Sequence, residues 1–186
     1  MKPKIFVITG SSGVGKSTIA DALLLKNKNL KKVITCTTRA PRGKEKDGVD
    51  SRFLSVEKFK ALIEKKAFFE NALVYGNYYG SLKEDVKKIL ASKKSLLFVV
   101  DVQGAETIKK NDSRAVTIFI KPPKFEELRA RLKKRKTDSE EIIDKRIAVA
   151  KEELKKAPLF DYAVVNDLLD VAVKETQQIV EKESKA

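Results

Sequence analysis

The stretch Gly10-Ser11-Ser12-Gly13-Val14-Gly15-Lys16-Ser17-Thr18 decides how the rest of the sequence is read. It matches G-x-x-x-x-G-K-S/T in full, and its flanks fit the pattern. The apolar run Lys4–Thr9 (KIFVIT) predicts a buried strand before it, and Lys16–Leu25 predicts a helix after it. Glycines let the backbone bend until successive N–H groups face one anion. The N-terminus of the following helix adds its positive dipole end. Lys16 supplies a point charge for the outer phosphates, and the Ser17 hydroxyl is placed to ligate Mg²⁺. Gly10 to Thr18 is therefore expected to cradle a nucleoside triphosphate. The pattern does not say what accepts the phosphoryl group, because GTPases, ATPases and small-molecule kinases share it.

Outward from this turn, short apolar strands alternate with amphipathic helices. Lys32–Thr37 predicts a second strand, Ser95–Val100 a third ending in Asp101, and Ala115–Ile120 a fourth stopped by Pro122-Pro123; Tyr162–Val165 is a last short one. Helical spacing marks Val56–Lys65 (Val56, Phe59, Leu62 and Ile63 on one face), Leu82–Ala91, Phe125–Lys134, Ser139–Lys156 and Asp170–Glu183. The alternation predicts an α/β fold, a parallel sheet with helices on both faces. The β-rich stretch Arg52–Tyr79, with a Gly76-Asn77 turn signal, interrupts it and reads as an inserted lobe. A carboxylate at the end of a central strand is where such a sheet faces Mg²⁺ or substrate, so Asp101 is a candidate ligand. Asp101 equally suits a helix N-cap for a segment starting near Gln103, and both roles can hold.

Composition narrows the chemistry. The chain has no His, so proton transfer through imidazole and His-ligated metals are excluded. Lys and Arg outnumber Asp and Glu by 40 to 26, a balance that suits anionic ligands. The basic residues are scattered through helical segments without interleaved aromatics, so nucleic acid is not an expected partner. No apolar run reaches bilayer length, Met1–Phe6 lacks a signal-peptide layout, and the single cysteine, Cys36, excludes an internal disulfide. These features predict one compact cytosolic unit that does not bind membranes.

A second anion site is predicted from Thr35-Cys36-Thr37-Thr38-Arg39-Ala40-Pro41-Arg42. Two arginines three residues apart after a strand can form a fork for a phosphate. This segment resembles the T-T-R-x-P-R motif of guanylate kinases. Glu45–Gly48, Gly76-Asn77-Tyr78-Tyr79-Gly80-Ser81, Asp101-Val102-Gln103-Gly104-Ala105 and Val165-Asn166-Asp167 are similar to further motifs of that family. Arg131–Arg135, followed by Thr137–Glu141 and Arg146, resembles its lid. The series runs in the family's order and spacing from about Lys4 to Val180.

The resemblance implies transfer of the terminal phosphoryl group of ATP to GMP, with dGMP as a further acceptor, by a monomer or weak homo-oligomer. It implies one P-loop NTPase-type domain in three parts: a core (1–31, 91–121 and 151–186), an inserted mixed-β GMP-binding lobe (about 32–90) and a helical lid (about 122–150). Carried over by position, Arg39, Arg42 and Tyr79 hold the GMP phosphate, while Thr35, Glu70, Ser81 and Asp101 read guanine. Asn166 joins Gly10–Thr18 on the ATP side, and Ser17 with Asp101 holds Mg²⁺. Lys16, Arg39, Arg131, Arg135 and Arg146 supply the catalytic positive charge. Glu70 makes chemical sense in its role. Guanine's pairing edge offers two donors that a carboxylate accepts, whereas adenine leaves that carboxylate unpaired.

Four positions depart from the family pattern. Ser51, beside Arg52, stands where a Tyr usually helps hold the GMP phosphate; Val99 replaces a frequent carboxylate; Lys136 stands where Gly is frequent; Leu168 follows Asn166-Asp167 where an acid is common. The Ser51 change leaves room for a different phosphorylated acceptor. Guanylate kinase-like scaffold modules that bind phosphopeptides are a further class, but they typically lose the ATP cradle or the lid arginines retained here.

Overall fold

In the computed structural model, which describes residues 3–134 and 139–185, the central strand is β1 (Ile5–Gly10), all six residues of which are buried. It runs parallel between β7 (Ser95–Val99) and β8 (Val116–Lys121). β2 (Leu30–Lys32) lies outside β7, and β9 (Tyr162–Val165) outside β8, giving the order β2-β7-β1-β8-β9. A parallel sheet covered on both faces explains why its three central strands, β7, β1 and β8, are almost continuously apolar.

Side chains along β1 alternate between two cores, as a strand's twofold period requires. Phe6 and Ile8 pack with Ile19 and Leu23 of α1 (Lys16–Lys26) and with Ala172 and Val173 of α7 (Leu169–Lys185). Ile5 and Val7 face the other way, towards Ala105 and Ile108 of α4 (Val102–Asn111) and Val86 of α3 (Lys83–Ala91). The expected α/β sandwich is therefore present.

A second, mixed sheet follows the order β4-β3-β6-β5. It comprises β3 (Thr35–Thr37), β4 (Arg52–Phe53), β5 (Phe68–Val74) and β6 (Asn77–Leu82). Helix α2 (Val56–Glu64), capped by the Ser55 hydroxyl, covers this sheet. Its Phe59 ring stacks on Phe68 and Tyr78, with centroids 4.4 and 5.3 Å apart. Two further helices, α5 (Phe125–Lys134) and α6 (Glu140–Lys155), stand between β8 and β9.

The predicted strand Lys32–Thr37 is two strands in two sheets. Leu30–Lys32 pairs with β7, and the Val33 N–H still donates to the Leu97 carbonyl. Thr35–Thr37 pairs instead with β6, and Cys36 lies in the core of the mixed sheet. The chain crosses between sheets at Ile34, a break that a continuous β-forming run conceals. Val56, expected on the inner face of α2, is 41% exposed. The β5–β6 turn is Tyr75-Gly76, one residue before the expected pair.

The parallel arrangement brings the ends of β1, β7, β8 and β9 to one edge, where ligands of such sheets bind. Gly10 ends β1 there with φ +134°, and a Cβ on it would collide with the Ile120 carbonyl oxygen. Gly10→Ala is therefore expected to cost about 3 kcal/mol of unfolding free energy or more. Gly43→Ala, at φ +55° with nothing within 4 Å of the added carbon, should cost only about 1 kcal/mol. Urea denaturation of both variants checks this; equal losses would contradict it.

Candidate active site

The Gly10–Thr18 turn closes around its own lysine. Lys16 Nζ donates to the Gly10 carbonyl at 2.6 Å and to the Ser11 carbonyl at 3.0 Å. Gly15 caps α1 at φ +96°, and a Cβ there would strike Asn166 Nδ2. That amide donates to the Val14 carbonyl at 2.8 Å, so Asn166 buttresses the turn from the end of β9. Two residues of the turn anchor it rather than face outwards. Val14 is wholly buried in the core, and Ser11 Oγ donates to the Ala150 carbonyl of α6 at 3.5 Å. Gly10, Ser12, Gly13 and Gly15 to Thr18 line a cleft.

Across that cleft lie Thr35, Arg39, Arg42, Glu70, Tyr79 and Asp101, which line it as well. The Arg39 guanidinium is gripped in a fork by Glu45, Nη1–Oε2 2.9 Å and Nη2–Oε1 3.1 Å. Glu45 also accepts from the Arg42 N–H at 2.8 Å. The loop is thus prebuilt around one carboxylate. Arg39 further lies 5.8 Å from the Phe53 ring centroid.

Glu70 is 2% exposed. It stands opposite Ser81 in the β5–β6 pairing and accepts from the Ser81 hydroxyl at 2.7 Å. Gly104 permits α4 to approach, since a Cβ on it would lie 3.0 Å from Glu70 Oε2. Burial pushes the Glu70 carboxyl up to about 7; the Ser81 hydrogen bonds work against this and the nearby Asp101 charge adds to it. Asp101 Oδ1 caps α4, accepting from the Gln103 and Gly104 N–H groups at 2.8 and 3.1 Å. Its Oδ2 makes no hydrogen bond to a described residue.

Arg146 of α6 is 6% exposed and reaches the turn, Nη1 donating to Ser12 Oγ at 3.1 Å. Arg131 of α5 lies outside the cleft lining; it donates to Glu127 and to the Asn166 carbonyl, each at 3.0 Å. Arg129 pairs with Asp144 and Glu140. Arg135 and Lys136 lie outside the described residues.

Several residues of the cleft were not foreseen from sequence. Tyr75 and Val74 line it from the β5–β6 turn, and Glu153 from α6. Glu153 Oε2 and Tyr75 Oη are buried and have no hydrogen-bond partner among the described residues. Burial raises the Glu153 carboxyl, with Lys16 and Ser11 opposing. Neither residue carries a sequence signal: Glu153 sits in a charged helix run, and Tyr75 in a turn. Arg52 offers no substitute for the Tyr missing at position 51, because Asp85 holds its guanidinium, Nη2–Oδ1 3.1 Å, beside Cys36.

Among the described residues no cluster of three or more acidic or Cys side chains could hold a metal alone. Ser17 and Asp101 Oδ2 are hard oxygen donors on one cleft, a set that fits Mg²⁺ completed by phosphates and water. No described helix is long and apolar enough to cross a membrane.

Comparison with known proteins agrees with this geometry. The family model described as guanylate kinase matches residues 2–183. The chain is 47% identical over 176 residues to a guanylate kinase of Caldanaerobacter subterraneus subsp. tengcongensis, covering 95% of this chain and 85% of the relative. It is 45% identical over 184 residues to that of Bacteroides thetaiotaomicron, covering 98% and 90%. The crystal structure of guanylate kinase from Anaplasma phagocytophilum superposes with a TM-score of 0.82 at 31% identity, covering 98% of this chain and 86% of that one. With the Gly10–Thr18 turn on one wall of the cleft, arginines and a buried carboxyl on the other, and similarity along nearly its whole length, the chain belongs to the guanylate kinase family.

Proposed function

We propose that the chain transfers the terminal phosphoryl group of ATP to GMP, giving ADP and GDP, with the residues of the cleft dividing the work between donor and acceptor. One observation carries this reading: the Gly10–Thr18 turn and the Arg39, Arg42, Glu70 and Tyr79 group line the same cleft. The triphosphate lies along Gly10 to Thr18, with Lys16 at its outer phosphates and Asn166 supporting the turn. The mixed-β lobe (about 32–90) receives GMP, the lid (about 122–150) covers the donor, and the remainder is the core.

Arg39, Arg42 and Tyr79 hold the GMP phosphate. Guanine's N1–H and N2–H₂ donate to the Glu70 carboxylate, with Ser81 orienting it and Thr35 and Asp101 completing the base site. An oxygen of the GMP phosphate then attacks the γ-phosphorus while the bond to the β–γ bridging oxygen breaks. That phosphate's second ionisation lies near 6, so it is already anionic near neutrality and needs no base. The absence of His is no obstacle. Charge accumulates on the transferring oxygens, and Lys16, Arg39, Arg131, Arg135 and Arg146 offset it while the lid excludes water. Mg²⁺, held through Ser17 and Asp101, would supply further charge neutralisation between the phosphates.

The assigned roles leave the ribose 2′-hydroxyl without a dedicated partner, so dGMP is expected as an acceptor. One chain carries both pockets, so a monomer suffices. We place the reaction in the cytosol, where ATP is available and the single buried thiol, Cys36, needs no oxidising compartment.

Lys16→Ala should lower kcat at least a hundredfold, as loss of a charge-stabilising donor does; turnover within tenfold of wild type would remove Lys16 from the chemistry. Ser51→Tyr should tighten GMP binding by about 1.5–3 kcal/mol, the worth of a hydrogen bond to a charged group; unchanged GMP affinity would refute this. Glu70 titrates near 7 in the empty protein but must be ionised to accept from guanine, so GMP binding at pH 6.5 should expel its proton. Calorimetry in buffers of different ionisation enthalpy should register roughly 0.8 proton more released by wild type than by Glu70→Gln. Equal release by the two would show that the carboxyl does not meet guanine as an anion.

A further inference from the structure

Tyr75 is out of place by local rules. It is the first residue of the two-residue β5–β6 turn, with φ +50°, followed by Gly76 at φ +76°. Turns with positive φ at both central positions favour Asn-Gly or Asp-Gly, and a bulky aromatic at the first is an outlier. Packing within the lobe does not account for it. The lobe core is built from Cys36, Phe59 and Phe68 with Leu54, Leu62, Ile63, Tyr78 and Leu82, and Tyr75 is not among them. Its ring instead crosses the cleft. The Arg146 guanidinium carbon sits 5.3 Å from the Tyr75 ring centroid, within the range of a cation–π contact. The same guanidinium donates to Ser12 Oγ of the phosphate-binding turn. A continuous physical connection therefore runs from the turn of the mixed-β lobe, through one aromatic ring and one buried cation, to the donor cradle. Backbone strain that local packing does not repay points to a functional demand.

We propose that Tyr75 is a positioning residue for phosphoryl transfer: its ring, carried on the acceptor lobe, holds Arg146 over the Gly10–Thr18 turn, so that lobe placement and delivery of a cation to the donor phosphates are linked. The inference rests on the reading of Arg146 as a donor-phosphate residue. The ring is the active part, and the buried hydroxyl is not required. The face of a neutral aromatic orients a guanidinium without adding a charge that would compete with the phosphates.

The test compares Tyr75→Asn and Tyr75→Phe in wild-type and Arg146→Gln backgrounds, with ATP and GMP as substrates and thermal melting as a control. Asn suits the turn, so Tyr75→Asn should melt no lower than wild type. Its kcat should fall roughly ten- to thirtyfold, the loss expected of one desolvated cation–π contact, with KM for GMP changed less than twofold. Tyr75→Phe should keep kcat within about threefold. In the Arg146→Gln background, itself slow, Tyr75→Asn should have little further effect, the non-additivity of residues acting as a unit. Wild-type kcat in Tyr75→Asn, a loss as large in Tyr75→Phe, an undiminished effect of Tyr75→Asn on top of Arg146→Gln, or a lower melting temperature of Tyr75→Asn would each overturn the proposal. If Arg146→Gln is slow but Tyr75→Asn is not, only this inference fails. If Arg146→Gln alone leaves kcat unchanged, the role given to Arg146 fails with it.

Discussion

Lys16 is held by the loop it serves. Its ammonium binds the carbonyl oxygens of Gly10 and Ser11, and that contact turns those carbonyls inward. The two ends of a peptide unit point in roughly opposite directions, so drawing carbonyls towards the lysine favours presentation of N–H groups on the other side. The charge and the shape of the proposed donor site thus come from one interaction. It is possible only because β1 ends in a glycine whose backbone runs against the Ile120 carbonyl, and because Asn166 fills the space beside Gly15. Three strands of the parallel sheet, β1, β8 and β9, meet at that point.

The opposing wall solves a different problem. In the proposed reaction two polyanions repel, and arginines that bring them together have to be in place before the ligands arrive. Arg39 is kept in a fixed fork by Glu45, which also binds the Arg42 N–H. The pairing costs some of the guanidinium's free donors but removes the entropy of finding the right geometry. Glu70 is preorganised in the reverse sense. Burial favours its neutral form, so a suitable donor edge, on arrival, shifts it towards the charged form that accepts hydrogen bonds. In the proposed reading, selection of the purine draws on the free-energy cost of leaving a buried carboxylate unpaired. On the surface, pairs such as Lys88–Glu84 and Lys145–Glu141 are exposed and screened by water, and the fold does not depend on them.

What could be read in the sequence was what depends on near neighbours along the chain. The Gly10–Thr18 turn is local: nine consecutive residues and the two elements beside them specify it. Helices α5 and α6 follow from helical spacing and strand β9 from its short apolar run. What depends on partners far away in sequence was hidden. The split at Ile34 is a choice of sheet, made by β7 for one half and by β6 for the other, and nothing in Lys32–Thr37 records it. Glu153 reads as one more solvated carboxylate in a charged helix until α6 packs against Ser11 and buries it. Tyr75 reads as a turn residue of the wrong kind, and its ring has a use only once the cleft's other wall is known. Ser51 was visible as a departure from a pattern, but that Arg52 is committed to Asp85 was not.

The central claim is that the acceptor wall selects a guanine monophosphate for the donor held by the turn. It is tested most directly by steady-state phosphoryl transfer from ATP across GMP, AMP, CMP, UMP and a ribosyl phosphate. The account predicts that kcat/KM for GMP exceeds that for AMP by at least a thousandfold, since the wrong purine leaves a buried carboxylate unpaired. Comparable turnover of AMP, or preference for a phosphorylated sugar without a base, would contradict it.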